Sequence, residues 1–182
     1  MSKSFGAVIT AVITPFCAED GKVDYKAVDR LIKHLCPQHT DGIIVCGTTG
    51  ESPTVSDAEK LKLFKHYRRN APEGISVIAN TGTYCTSHSV ELTKDAKAIG
   101  VDGVMAVMPY YNKPNYDGQI AHFAAIADVG LPLMLYNVPG RTGSKLLPEA
   151  VVKLSKHPNI VGIKEAGGDA TIVDWYLKNC RK

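Results

Sequence analysis

Ile160-Val161-Gly162-Ile163-Lys164-Glu165-Ala166 is the stretch on which the reading of this chain turns. Apolar and small residues run unbroken into a lysine, and Gly167-Gly168-Asp169 then makes a loop. A short apolar run bounded by turn residues predicts a buried strand. A lysine at its end has two readings. It can sit past the strand in water, as most lysines do. It can also be drawn into a site, where removal from water favours the free amine, a nucleophile towards carbonyls.

Upstream, the same kind of strand recurs. Ala7–Ile13, Gly42–Cys46, Ser76–Ala79, Gly103–Met108 and Leu131–Tyr136 are apolar runs that end at turn residues. Between them lie amphipathic stretches. Val23–Leu35 places Val28, Leu31, Ile32 and Leu35 at helical spacing. Ser56, with Glu59 three residues on, predicts a capping box opening a helix through Asn70. Further helices are predicted over Thr86–Ile99, Tyr116–Asp128, Pro148–Lys156 and Ala170–Cys180. Strand starts recur every ~27 to 35 residues, the length of a βαβ unit. Continuous apolar strands alternating with helices predict parallel α/β architecture. No Gly-x-Gly-x-x-Gly follows the first strand, so a barrel is preferred to a dinucleotide-binding sheet. A closed (β/α)8 barrel takes eight units and about 250 residues; six units are legible in these 182 residues.

Composition narrows the function classes. The chain is 45% hydrophobic and 21% charged, with a formal net charge of +3 spread along its length. No basic block points to nucleic acid, and no apolar run reaches the ~20 residues of a membrane-spanning helix. Cys17, Cys36, Cys46, Cys85 and Cys180 are odd in number and widely spaced, which suggests neither disulfides nor zinc. Cys46 reads as a small buried hydrophobe, and a cytoplasmic setting is expected.

A barrel builds its site from the carboxyl ends of its strands. Here those ends are Thr14-Pro15-Phe16, Gly47-Thr48-Thr49-Gly50-Glu51, Asn80-Thr81-Gly82, Pro109-Tyr110-Tyr111-Asn112, Tyr136 to Gly143, and Lys164. Each has a plain reading: a tight turn for Gly-Thr-Thr-Gly, packing for the tyrosines, a solvated loop for Arg141. Taken together they supply a lysine nucleophile, hydroxyls for proton transfer, and two anion-holding features, the Gly-Thr-Thr-Gly amides and Arg141. That set suits Schiff-base chemistry on a 2-oxo acid. None of the six histidines falls on a strand end, and no metal-ligand motif is present, so metal or histidine-base catalysis is disfavoured.

Gly47-Thr48-Thr49-Gly50-Glu51-Ser52, Pro109-Tyr110-Tyr111-Asn112-Lys113-Pro114, Tyr136-Asn137-Val138-Pro139-Gly140-Arg141-Thr142-Gly143 and Gly162-Ile163-Lys164-Glu165-Ala166 resemble the dihydrodipicolinate synthase family, within the N-acetylneuraminate lyase superfamily of Schiff-base aldolases. The resemblance covers residues 1–182 and implies a single domain. It would be a TIM (β/α)8 barrel lacking its C-terminal units and helical tail.

For function, the resemblance implies that Lys164 forms a covalent imine with pyruvate and that no separate cofactor is used. The derived enamine would attack aspartate 4-semialdehyde, on the way to lysine and diaminopimelate. Thr48 and Thr49 match the positions that hold the pyruvate carboxylate. Tyr136 matches the proton-transferring phenol, and Thr48 would link it to Tyr111 from a neighbouring subunit. Arg141 matches the group that receives the semialdehyde carboxylate. A homo-oligomer, a dimer or dimer of dimers, is implied. Asp57, Lys60, Tyr84 and His88 replace the residues of lysine-inhibited members, so weak or absent lysine inhibition is expected. Gly167 stands where a hydroxyl residue is common. Two alternatives stay open. One is a sister class I aldolase acting on N-acetylneuraminate or a 2-keto-3-deoxy-sugar acid, although Arg141 and Tyr111 favour the synthase. The other is an inactive fragment of the synthase.

Overall fold

A computed structural model describes residues 5–36 and 40–181, so that of the six histidines only His39 lies outside the described residues. These residues fall into two compact units.

The first unit comprises described residues 5–80 and 95–103. It holds strands β1 (Ile9–Ala11), β2 (Gly42–Val45) and β3 (Ser76–Asn80), with helices α1 (Tyr25–Leu35) and α2 (Asp57–Asn70). β1 pairs parallel with β2, and β2 parallel with β3, Gly42 lying opposite both Ile9 and Ser76. Parallel neighbours need a crossover between them, and each connection here carries a helix. β2 is buried along its whole length, as a central parallel strand must be. The burial of Ile43, Ile78, Phe64 and Leu63, all at most 1% exposed, stabilises this core by roughly 1.5–3 kcal/mol per side chain.

Helix α1 starts two residues later than its hydrophobic spacing suggests. Val23 is engaged in a bridge with Phe16, and Asp24 caps the helix by accepting from the Ala27 N–H. The capping box of α2 forms as predicted: the Ser56 hydroxyl accepts from the Glu59 N–H while the Glu59 carboxylate accepts from the Ser56 N–H. The Ser56 hydroxyl at 2.6 Å and the Ser56 N–H at 3.0 Å, both donating to the Glu59 carboxylate, hold that carboxyl below its usual range. β1 is only three residues long, shorter than the apolar run Ala7–Ile13, and Val8 and Ile13 of that run are exposed.

The second unit comprises described residues 81–94 and 104–181. Helix α3 (Thr86–Ile99) and strand β4 (Gly103–Val107) have residues in each unit. Helix α4 (Tyr116–Ala127), strand β5 (Leu133–Asn137), helices α5 (Pro139–Thr142) and α6 (Pro148–Leu154), strand β6 (Ile160–Glu165) and helix α7 (Thr171–Asn179) complete the chain. β4 pairs parallel with β5, and β5 parallel with β6. β5 begins at Leu133, because Pro132 has no N–H to give; its carbonyl still accepts from Val104. Between β5 and β6 the register slips by one residue: Leu133 faces Ile160, but Met134 faces Gly162, so Val161 is an extra residue on β6. From there on Tyr136 faces Lys164 and Asn137 faces Glu165.

The four-residue helix α5 goes beyond the sequence expectation. Pro139 presets its first turn, and Gly143, at φ 67°, ends it in the left-handed region that favours glycine.

Candidate active site

Lys164 is the fifth of the six residues of β6 and is half-buried, not solvated beyond the strand. Its Nζ lies 4.6 Å from the centroid of the Tyr136 ring. Tyr136, on the neighbouring strand, is 4% exposed. Side chains paired across parallel strands project to the same face, so the register alone brings the amine and the phenol together. A carbonyl compound entering between them would meet both groups.

Arg141 lies in α5, only five residues after Tyr136, with its side chain exposed. Thr142 holds that turn closed by donating its hydroxyl to the carbonyls of Val138 and Ser144. Tyr111 sits in the loop after β4 and is 90% exposed. Its φ is 67° and that of Lys113 is 47°, an uncommon backbone for residues with a Cβ. The loop is anchored at Tyr110, which meets Tyr84 edge to face at 5.4 Å, and at Asn112, which donates to the Tyr84 carbonyl.

Thr48 and Thr49 belong to the first unit. Their loop leaves β2 through Cys46, itself at φ 55°, and folds back through the Gly47 carbonyl, which accepts from the N–H groups of Gly50 and Ser52. Two neighbouring strand ends brace it. Thr14 donates its hydroxyl to the Gly50 carbonyl at 2.7 Å, and Asn80 donates its side-chain amide to the Cys46 carbonyl at 2.9 Å. Gly50 fits closely here: a Cβ would stand 3.0 Å from the Val12 carbonyl oxygen, tighter than an ordinary contact. Thr48 is half-buried and Thr49 exposed. Burial pushes the Cys46 thiol up to about 12, so it stays protonated and behaves as the small hydrophobe expected of it. Lys60 is buried, with its ammonium 3.4 Å from the Asp57 carboxylate.

Two polar residues to which the strand-end pattern assigns no part stand beside the amine and the phenol. Asn137 and Glu165 immediately follow Tyr136 and Lys164 and are paired with each other. Asn137 donates to both Glu165 carboxylate oxygens, at 2.9 and 3.0 Å. The signal that finds them is position: adjacent polar residues on two paired strand ends.

A family model described as the dihydrodipicolinate synthetase family matches residues 4–182. The chain belongs to this family. A 4-hydroxy-tetrahydrodipicolinate synthase of Synechocystis is 52% identical over 166 residues, which are 90% of this chain and 55% of that relative. The crystal structure of a dihydrodipicolinate synthase of Bacillus anthracis matches with a TM-score of 0.95 at 43% identity, covering 98% of this chain and 61% of that one. A dihydrodipicolinate synthase of Acinetobacter baumannii, solved in complex with pyruvate, matches with a TM-score of 0.91 at 42% identity, covering 97% and 62%. The fold is therefore α/β, of the (β/α)8-barrel family, and six of its βα units lie in this chain. The chain spans little more than half the length of the relatives it matches.

Proposed function

We propose that this chain carries the imine-forming part of a 4-hydroxy-tetrahydrodipicolinate synthase. The observation that carries the reading is the Lys164 amine lying 4.6 Å over the ring of Tyr136 at two paired strand ends. The amine adds to C2 of pyruvate, and the carbinolamine loses water to leave a protonated imine. The phenol of Tyr136 serves as proton donor to the departing oxygen and as acceptor in return. Loss of a methyl proton gives the enamine, whose carbon attacks the aldehyde of aspartate 4-semialdehyde. The amino group of that substrate then displaces the lysine, closing the ring and freeing the amine. No cofactor beyond this covalent imine enters the cycle.

The other roles follow the family resemblance. Thr48 and Thr49 take the pyruvate carboxylate, and Arg141, exposed five residues beyond Tyr136, takes the carboxylate of the aldehyde. A hydroxyl relay from Tyr136 through Thr48 to Tyr111 gives the proton a path away from the imine centre. The 90% exposure of Tyr111 suits a side chain lent to a second copy in a homo-oligomer. The five cysteines, all free thiols, suit a reducing cytoplasm.

Borohydride trapping with pyruvate tests this. The expected result is one adduct, on Lys164, that is absent in Lys164→Ala. Equal labelling of Lys164→Ala would remove the assignment. Turnover of sugar acids in preference to aspartate 4-semialdehyde would reassign the chain to a sister aldolase.

A further inference from the structure

The inner faces of β5 and β6 present Tyr136 and Lys164, and the outer faces present Asn137 and Glu165 one residue further on. The Glu165 carboxylate is held from several sides. Oε1 accepts from the Gly167 N–H at 2.7 Å and from Asn137 Nδ2 at 2.9 Å. Oε2 accepts from Asn137 Nδ2 at 3.0 Å and from the Tyr176 hydroxyl of α7 at 3.2 Å. Asn137 is fully buried, and its other atoms are engaged as well. Oδ1 accepts from the Leu146 N–H at 3.0 Å, and its carbonyl accepts from the Ala166 N–H at 2.9 Å. One side chain thus spans the loop that carries Arg141, from the residue after Tyr136 to Leu146, and grips the residue after Lys164.

Gly167 fits the same arrangement. A Cβ there would lie 2.7 Å from Glu165 Oε1 and push the carboxylate off the backbone N–H. Burial and the nearby carboxylate raise the Tyr176 phenol well above its ordinary range, so it remains a donor. Among the described residues the carboxylate meets donors only, without a cation among them, so this is a directional clamp rather than an ion pair.

We propose that Asn137 and Glu165 are positioning residues that lock the carboxyl ends of β5 and β6 in register and so hold the Lys164 amine against Tyr136, with Asn137 also setting the Arg141 loop. This rests on the imine-forming reading of Lys164. Displacing a nucleophile by about 1 Å can cost on the order of 100-fold in rate, and a register held only by backbone bonds at the strand ends admits such displacement.

The test is the rate of borohydride-trapped pyruvate adduct in the full 182-residue chain, followed against pyruvate concentration and pH, with thermal midpoints recorded. Asn137→Asp sets two carboxylates face to face. It should slow imine formation at saturating pyruvate about 10- to 100-fold, with half-saturating pyruvate unchanged, because pyruvate's own contacts are untouched. The swap Asn137→Asp/Glu165→Gln restores a donor facing an acceptor and should recover the rate to within a few fold. Asn137→Asp labelling as fast as the unsubstituted chain would overturn the proposal, as would a folded swap that stays as slow as Asn137→Asp. Should Asn137→Asp fail to fold, Glu165→Gln decides: slower labelling at unchanged half-saturation supports the clamp, and an unchanged rate overturns it. Absence of any adduct in the unsubstituted chain is a different outcome, which removes the imine reading and the clamp with it.

Discussion

At the scale of single residues, His122 is a group whose charge the fold resists. It lies in α4, 3% exposed, bonded through Nδ1 to the Thr86 hydroxyl at 2.9 Å and set edge-on to Phe123. Burial pushes its pKa down to about 4. The unfolded chain, with an ordinary histidine near 6.5, binds the proton more readily, so stability rises with pH between these values. The contribution is fully present above about pH 6.5 and is lost as the pH falls towards 4. The loss is on the order of 3 kcal/mol. His122→Gln should flatten this part of the stability profile, measured by denaturant unfolding at pH 7.5 and 4.5. Lys164 and Tyr136 are legible in the sequence because each closes an apolar run. The Asn137–Glu165 clamp is not, since its meaning depends on which residues face each other across two strands, and single-chain periodicity does not carry that.

At the scale of elements, the six strands and the longer helices follow from apolar periodicity, and the capping box of α2 from Ser56 and Glu59. The edges of elements follow less well. α5 is four residues holding a proline and a glycine, too short for any periodic signal. Gly82 shows how tightly a strand-end loop can be packed. A Cβ there would stand 2.4 Å from the Val107 nitrogen and 2.6 Å from the Ala106 Cα, both backbone atoms that cannot turn aside. Gly82→Ala should therefore destabilise by about 1–3 kcal/mol or prevent folding. Urea unfolding of the variant beside Gly74→Ala tests steric overlap specifically. Gly74 meets nothing within 4 Å, and its φ of 89° restricts that control to backbone strain alone.

For the whole molecule, β6 is hydrogen-bonded to β5, and Val161 and Ile163 together with Leu135, Val173 and Leu177 line a groove of about 770 Å³. Val173 is 44% and Leu177 67% exposed. Apolar surface of this kind beside a strand edge promotes association. Leu177→Glu should lower the concentration-dependent light scattering of the chain without lowering its thermal midpoint, and equal scattering would show that this groove plays no part in association. The groove is invisible to periodicity for a simple reason: the side chains of β6 and α7 read as ordinary core.

The extra residue at Val161 sets the phase of everything after it on β6. An uninterrupted pleat counted forward from Ile160 would set Ile163 opposite Tyr136 and turn Lys164 outward to Asn137. The alternating pattern of the strand and the direction of its lysine are thus reconciled by one unpaired residue three positions upstream. The handedness of the site, amine inward and carboxylate outward, is a matter of parity.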